Sequence, residues 1–295
     1  MTYRPTNWNS FIGQSALKRR LEYAIIAALE RNENLPPTLL LGPPGTGKTS
    51  LARLVAGLMG AQFEDVIAPI PNRRLDMIVA THNGVFFIDE IHRASAKDQE
   101  RLLPLLEDGY LQDSRGRVIQ APNLSIIAAT TEGDKVIQPL YDRFLIKPPF
   151  ESYAEHEMQE IVLQMAEQAG LRVSPEWAHG VACATLGTPR RARSIIQMAR
   201  DLFVAHGSIE SVERVLHEAG VTEHGLDRNH QAYLSALLLA GGTAGRTTMS
   251  QLMSIPPGQI EMLEVDLIKL GFLTRTPSGR ELTSEGFALA QRLSN

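Results

Sequence analysis

The sequence predicts an α/β protein in three parts: a parallel-sheet domain, a small helical domain and a C-terminal winged helix. Helical and strand-like patterns alternate as far as Pro148-Pro149, which indicates an α/β sheet. Strand-like runs then stop, and four short helices follow in succession. The last part combines three helices with two brief strands around a Pro-Ser-Gly turn. We therefore expect domains over residues 1–152, 153–224 and 225–295.

The first part is expected to contain buried parallel strands. Apolar residues recur at helical spacing between residues 17 and 29. Thr38–Gly42, Val85–Asp89 and Leu124–Thr130 are short apolar runs, as is typical of parallel strands covered on both faces. Gly109–Ala121 has Ser-Arg-Gly-Arg between two apolar pairs, which predicts a projecting β-hairpin.

The same helical spacing gives the elements of the other two parts. The predicted helices of the small domain are Glu157–Gly170, Pro175–Ala184, Pro189–His206 and Ile209–Gly220. Those of the last part are Asn229–Ala240, Thr248–Ile255 and Gln259–Leu270. The two brief strands lie within residues 271–283 and form the wing.

Composition excludes several classes of protein. The chain has 295 residues, and its 29 Lys and Arg against 33 Asp and Glu give a net charge of −4. Any contact with DNA must therefore come from local patches. Cys183 is the single cysteine, which excludes an internal disulfide and a cysteine-based metal site. No apolar run approaches the roughly 18 residues of a membrane-spanning helix, so we expect a cytoplasmic protein with no membrane partner.

A phosphate-binding loop is the strongest motif. Gly42–Thr49 fits GxxxxGK[ST], follows a predicted strand and opens a predicted helix. Glycines let backbone N–H groups surround phosphates, Lys48 adds a positive charge, and Thr49 offers a hydroxyl to Mg²⁺. Ser50 can donate to the α-phosphate. The residues assigned to the nucleotide by this motif are Gly45, Gly47, Lys48, Thr49 and Ser50.

Acidic and hydroxyl side chains follow two further predicted strands. Asp89 and Glu90 end a buried run, at the edge where α/β sheets bind ligands. Asp89 would hold Mg²⁺, and Glu90 would orient or deprotonate the attacking water. Thr131 ends another strand and can sense the γ-phosphate, although a strand-capping role fits equally well.

Two arginines are candidates for the transition-state charge. Arg143 lies where the α/β domain closes and could reach a neighbouring subunit's nucleotide, or it could simply pair with Asp142. Arg190 begins a helix of the small domain and could close on the γ-phosphate. It also belongs to a run of surface arginines, which is the alternative interpretation.

Several stretches together resemble the RuvB family of AAA+ ATPases, the bacterial motors of Holliday-junction branch migration. They are GPPGTGKT, FIDEIHR (Phe87–Arg93), AATT (Ala128–Thr131), PLYDRF, GTPR and GFLTRTPSGR (Gly271–Arg280). Nucleotide motifs alone would indicate only a P-loop ATPase, whereas the combination is specific and spans nearly the whole chain. The resemblance implies a homo-hexameric ring that uses ATP and Mg²⁺ to drive duplex DNA through a four-way junction held by a RuvA-like partner.

The resemblance also implies roles for single residues. Glu90 matches the catalytic acid, Thr131 sensor 1, Arg143 the arginine finger acting in trans, and Arg190 sensor 2. Tyr3, Arg4 and Tyr153 match positions around the bound nucleotide. Glu107 and Asp108 match an acidic pair of the family. In the wing, Arg275 and Arg280 match contacts to the DNA backbone, which two guanidiniums flanking a tight turn can make.

The sequence departs from the family pattern at four places. Residues 60–83 and the hairpin at 109–121 are shorter than expected, and the hairpin is the family's docking point for RuvA, so that partner is in doubt. Glu132 follows AATT where the family carries Arg, and Pro256 stands where a basic residue is frequent. Two other functions therefore stay open: a clamp-loader-like or protein-remodelling ATPase, and a nucleotide-gated DNA-binding module with little turnover.

Overall fold

The structure, a computed structural model, describes residues 4–113 and 115–294 and divides the chain into two units. The first unit runs to Glu157 and includes Thr188–Arg190. The second contains Met158–Gly187 and the chain from Arg191 onward. The residues of the expected helical domain and winged helix therefore cluster together.

A parallel sheet forms the centre of the first unit. The strands are β1 (Thr38–Leu41), β2 (Gln62–Ile67), β3 (Gly84–Asp89), β4 (Tyr110–Gln112), β5 (Val118–Gln120) and β6 (Leu124–Thr130). Strands β1, β6, β3 and β2 are hydrogen-bonded in that order, and all of these pairs are parallel. Strands β4 and β5 pair antiparallel as the predicted hairpin. The predicted strands are thus confirmed, while β2 was not predicted.

Helices cover both faces of this sheet. They are α1 (Ser15–Arg31), α2 (Lys48–Leu58), α3 (Asn72–Thr81), α4 (Ala96–Arg101), α5 (Leu103–Glu107) and α6 (Gln138–Arg143). Alternate residues of β3 enter two different cores: Phe86 and Ile88 pack with α3 and α5, whereas Val85 and Phe87 pack with α1 and α2. This two-sided burial explains why the strands are continuous apolar runs.

Seven of the later helices match the predicted ones to within a few residues. They are α7 (Glu155–Gln168), α8 (Pro175–Cys183), α9 (Pro189–His206), α10 (Val212–Glu218), α11 (Arg228–Leu239), α12 (Arg246–Met253) and α13 (Pro257–Lys269). Helix α14 (Ser284–Ser294) was not predicted. Strands β7 (Thr243–Ala244), β8 (Leu273–Thr276) and β9 (Gly279–Leu282) form an antiparallel sheet in the order β7-β9-β8. Tyr233, Met249 and Leu267 come from α11, α12 and α13 and meet in one buried cluster. The predicted winged helix is confirmed.

Candidate nucleotide site and wing

The phosphate-binding loop joins β1 to α2 and requires glycine at two points. Gly45 and Gly47 have φ of 80° and 108°, which residues with a Cβ adopt at a cost. A Cβ on Gly45 would lie 2.8 Å from Cβ of Arg190. Nζ of Lys48 donates to the carbonyls of Gly42 and Pro43, each at 2.8 Å. The ammonium group is thereby held against the loop.

The charge of Lys48 is balanced by the acids beyond it. Burial lowers the pKa of Lys48, and the charges of Glu90 and Asp89 oppose that effect. Burial also raises the pKa of the Asp89 carboxyl, with the neighbouring Glu90 acting in the same direction. Two adjacent acids at a buried strand end thus create an unfavourable negative charge that a cation relieves.

Thr49 and Asp89 fit a magnesium site. Oγ1 of Thr49 donates to Oδ2 of Asp89 over 3.4 Å, so a hydroxyl and a carboxylate face one another across the gap between α2 and β3. Oxygen ligands of these two kinds are those that Mg²⁺ takes in proteins, usually together with phosphate oxygens. The donor set and the like charges of Asp89 and Glu90 both suit a divalent cation.

Glu90 and Thr131 lie side by side at neighbouring strand ends. Thr131 donates to Oε2 of Glu90 from its backbone N at 3.2 Å and from its hydroxyl at 3.1 Å. Glu90 itself has φ 50° and ψ 49°, a left-handed conformation that is strained for a residue with a side chain. Strain of this kind persists where the surrounding structure fixes the residue, and functional sites are where it concentrates.

Sequence reasoning missed one further neighbour of Glu90, His92, and the contact of His92 with Glu132. Nδ1 of His92 lies 3.2 Å from Oε2 of Glu90, and Nε2 of His92 lies 3.1 Å from Oε1 of Glu132. His92 is placed there by the 3₁₀ turn Ile91–Arg93, which follows β3 directly. The unusual Glu after AATT was the one signal in the sequence, and it marked the right residue without showing its partner.

The other residues assigned to the nucleotide lie at varied places. The hydroxyl of Tyr153 donates to the carbonyl of Thr46 over 2.9 Å, and the backbone N of Arg190 donates to the carbonyl of Gly45 over 3.3 Å, so both residues border the loop. Ser50 is in the first turn of α2. Arg4 is exposed. Tyr3 lies outside the described residues.

Arg143 is paired with Glu107, and not with Asp142, which was the alternative to its role as a finger. Nε of Arg143 lies 2.9 Å from Oε2 of Glu107, and its Nη1 donates to the carbonyl of Pro139. Asp142 accepts a hydrogen bond from Gln138. Glu107 ends α5, and the exposed Asp108 follows it. Within its own chain Glu107 therefore contacts the candidate finger, not the phosphate-binding loop.

In the wing, both arginines converge on one buried acid. Arg275 donates to Glu264 over 2.9 Å, and Arg280 makes two bonds to it at 2.7 and 3.1 Å. The hydroxyl of Tyr233 donates to the same carboxylate. The Glu264 side chain is 0% exposed, that of Arg280 17% and that of Arg275 52%. Arg280 is therefore the less accessible of the two predicted DNA contacts, because it is bound to Glu264, which the sequence analysis did not single out.

Comparisons with known proteins cover nearly the whole chain. Residues 3–149 match the family model described as Holliday junction DNA helicase RuvB P-loop domain, and residues 223–291 match that of the RuvB C-terminal winged helix domain.

Among the described residues, no helix is both long and apolar enough to cross a membrane.

Named relatives and a solved structure agree with these matches. The Holliday junction branch migration complex subunit RuvB of Chloroflexus aurantiacus is 37% identical, with 96% of this chain and 86% of that protein covered. The protein of the same name from Fusobacterium nucleatum is 33% identical, with 96% and 91% covered. The structure of the Thermotoga maritima RuvB Holliday junction branch migration motor gives a TM-score of 0.83 at 28% identity, with 98% of both chains covered.

Proposed function

The chain belongs to the RuvB family, and we propose on that basis that it is an ATP-driven motor for branch migration of Holliday junctions. One observation carries the proposal. Lys48, Asp89, Glu90 and Thr131 meet at the carboxyl ends of β1, β3 and β6, in a chain that also carries a winged helix. These are the groups that phosphoryl transfer to water requires, and a winged helix is a DNA-binding fold.

In this proposal each group of the site has a separate task. The loop N–H groups and Lys48 bind the phosphates, and Thr49 and Asp89 hold Mg²⁺, which neutralises charge on the phosphates when bound. Glu90 accepts a proton from the attacking water or orients it, and Thr131 fixes the position of Glu90. Because phosphoryl transfer depends on positioning and charge neutralisation, rigidity of this group matters more than its basicity.

In this proposal, a neighbouring subunit supplies the positive charge that the transition state still needs. Arg143 lies at the end of α6 beside Glu107, far in sequence from the loop that it would serve, and we assign it to the nucleotide of a neighbouring subunit in a homo-hexamer. Tyr153 and Arg190 border the loop of their own chain and would report the nucleotide state to the residues that follow them. We keep the three functional parts 1–152, 153–224 and 225–295 in this assignment.

The partners proposed for the chain are duplex DNA at a four-way junction and a RuvA-like protein. The β4–β5 hairpin is the docking point for that protein, since Val118 is exposed there and can be covered by a partner. The wing is the DNA contact, and Arg275 is its more accessible guanidinium. We place the protein in the cytoplasm.

The test is ATP-dependent dissociation of a synthetic four-way junction by the full chain with Mg²⁺, with and without a RuvA-type partner. Lys48→Ala serves as the blank. Dissociation that the blank abolishes supports the motor, and activity without the partner means that the short hairpin has relaxed that dependence. ATP hydrolysis that neither duplex nor junction DNA stimulates would favour a protein-remodelling ATPase. DNA binding gated by nucleotide without turnover would favour a regulatory module.

A further inference from the structure

The side chain of Glu90 also contacts His92, and His92 contacts Glu132, two residues that the proposed function does not use. We propose that Glu132, acting through His92, positions Glu90 for hydrolysis. Glu132 is a positioning residue in this scheme, since it contacts His92 and the carboxylate of Glu90 is one step further on. The inference rests on the proposed ATPase function and adds a residue to its site.

The two oxygens of Glu90 are treated differently by the structure. Oε2 has three polar neighbours: the backbone N and hydroxyl of Thr131, which donate to it at 3.2 and 3.1 Å, and Nδ1 of His92 at 3.2 Å. Among the described residues, no hydrogen bond to Oε1 is found. One oxygen therefore fixes the carboxylate, and the other is left to accept from water. This is the arrangement that a positioned general base needs.

Both ring nitrogens of His92 face oxygen atoms. Nδ1 lies 2.9 Å from the hydroxyl of Thr130 and 3.2 Å from Oε2 of Glu90. Nε2 lies 3.1 Å from Oε1 of Glu132. The ring of His92 therefore bridges the carboxylates of Glu90 and Glu132.

Glu132 is what keeps this ring in place. The His92 side chain is 8% exposed, so losing the carboxylate of Glu132 would leave Nε2 of a nearly buried ring without this polar neighbour. Glu132 is fixed in turn by Lys135, and Arg93 adds positive charge nearby. The chain of contacts from Lys135 through Glu132 and His92 to Glu90 is continuous.

This arrangement depends on an acid at position 132. The sequence departs at that position from the AATTR ending of the family, so the ring of His92 gains an acceptor that a basic residue could not provide. Replacing the carboxylate of Glu132 by a neutral group weakens its hold on the ring, and Oε2 of Glu90 then loses one of its three polar neighbours. We expect a loss of turnover without a loss of nucleotide affinity, because neither Glu132 nor His92 borders the phosphate-binding loop.

The test is steady-state ATP hydrolysis by the full chain with Mg²⁺. Glu132→Gln is expected to lower kcat about tenfold, the low end for losing an outer-shell partner, with KM for ATP unchanged. Asp134→Asn is the matched control, since it removes an exposed acid two positions away and should leave kcat as in the wild type. In a His92→Asn background, adding Glu132→Gln should cost nothing further, because the contact that it acts through is gone.

Three outcomes decide between this inference and the proposed function. An unchanged kcat in Glu132→Gln, or an undiminished loss in the His92→Asn background, would overturn the inference. If His92→Asn does not fold, Glu132→Asp replaces it, and failure of this shorter acid to restore part of the kcat lost in Glu132→Gln has the same meaning. Wild-type hydrolysis that Glu90→Gln leaves intact would instead contradict the proposed function itself.

Discussion

Nε of Arg280 lies 2.7 Å from Oε1 of Glu264, whose side chain has no exposed surface. A fully buried carboxylate is stable only when it is paired and hydrogen-bonded. Arg280 makes two of these bonds and is itself largely buried, whereas Arg275 makes one and is half exposed. The two wing arginines therefore have different roles: Arg280 stabilises the fold, whereas Arg275 has N–H groups available to bind a phosphate.

Removing Arg280 should mainly destabilise the winged helix. We expect Arg280→Ala to lower the free energy of unfolding by about 3 kcal/mol, the low end for breaking a buried ion pair, since Arg275 still faces Glu264. Urea denaturation of the full chain measures this change. Arg292→Ala, which removes an exposed arginine of α14, is the matched control. An unchanged urea midpoint in Arg280→Ala would contradict this stabilising role.

Removing Arg275 should mainly weaken DNA binding. Because a phosphate contact carries no base specificity, Arg275→Ala should lower affinity for all duplex sequences alike. The slope of log K against log[salt] should fall by about 1, the value for one lost phosphate contact. Fluorescence anisotropy with two unrelated duplexes over a salt series gives both quantities. A loss confined to one sequence would show that Arg275 reads bases.

Arg143 should act on a neighbour's nucleotide. Arg143→Ala is expected to lower ATP turnover by about 10³-fold or more while sparing nucleotide binding. Glu90→Gln should also be inactive, because it lacks the acid. Mixing the two inactive variants should restore hydrolysis, since a subunit with intact Glu90 can then receive Arg143 from the subunit beside it. If Arg143 acts within its own chain, the mixture stays as inactive as either variant alone.

Arg101 should hold the β4–β5 hairpin, the proposed docking point of the partner, in place. Its guanidinium donates to Asn72 and Asp76 of α3 and to the carbonyl of Gln112 in β4, so one side chain ties the hairpin to the body of the unit. Arg101→Ala is expected to increase hydrogen exchange of the hairpin amides and to weaken binding of a RuvA-type partner. ATP hydrolysis without the partner should not change. Exchange measured by mass spectrometry would contradict the idea if hairpin protection were the same in both proteins.

The sequence predicted the elements whose signals are local. The buried strands β1, β3 and β6 are apolar runs ended by polar residues, and a motif of fixed spacing marks the loop between β1 and α2. Strand β2 was missed because it lies at the sheet edge with most of its residues part-exposed, which leaves no apolar run to detect. Helix α3 was missed because it is short and follows two prolines.

The side-chain partners could not be predicted, since they join residues far apart in sequence. Glu264 contacts an arginine 16 positions later, and Arg143 contacts an acid 36 positions earlier. Glu132 illustrates the limit most clearly. The sequence identified it as unusual, but its partner His92 lies on another strand's end and becomes visible only once β3 and β6 are paired.

A buried histidine should make the stability of the second unit depend on pH. Nδ1 of His230 lies 2.8 Å from Asp227 and Nε2 lies 3.4 Å from Asp266, while Arg191 also contacts Asp266. Burial by itself lowers the pKa of His230, but the two acids outweigh it and raise the pKa above the ordinary value. The hydrogen bond from His230 in turn lowers the pKa of Asp227 to about 2.

The signs of these shifts set the stability window. A histidine with a raised pKa stabilises the fold fully below its unfolded value of 6.5 and loses that contribution as the pH rises through the folded value. Asp227 contributes above its unfolded value of 3.8 and loses its contribution as the pH falls towards 2. Between these limits both contributions are complete, so the free energy of unfolding should be largest there. Unfolding can be followed through Trp177 fluorescence in a Trp8→Phe background.

His230→Gln should flatten the decline of stability on the alkaline side. At lower pH it should reduce the free energy of unfolding by about 1–3 kcal/mol, as expected for a buried donor removed from its acceptors. A wild-type profile that stays level from pH 6 to 9 would show that the proton on His230 is not linked to folding.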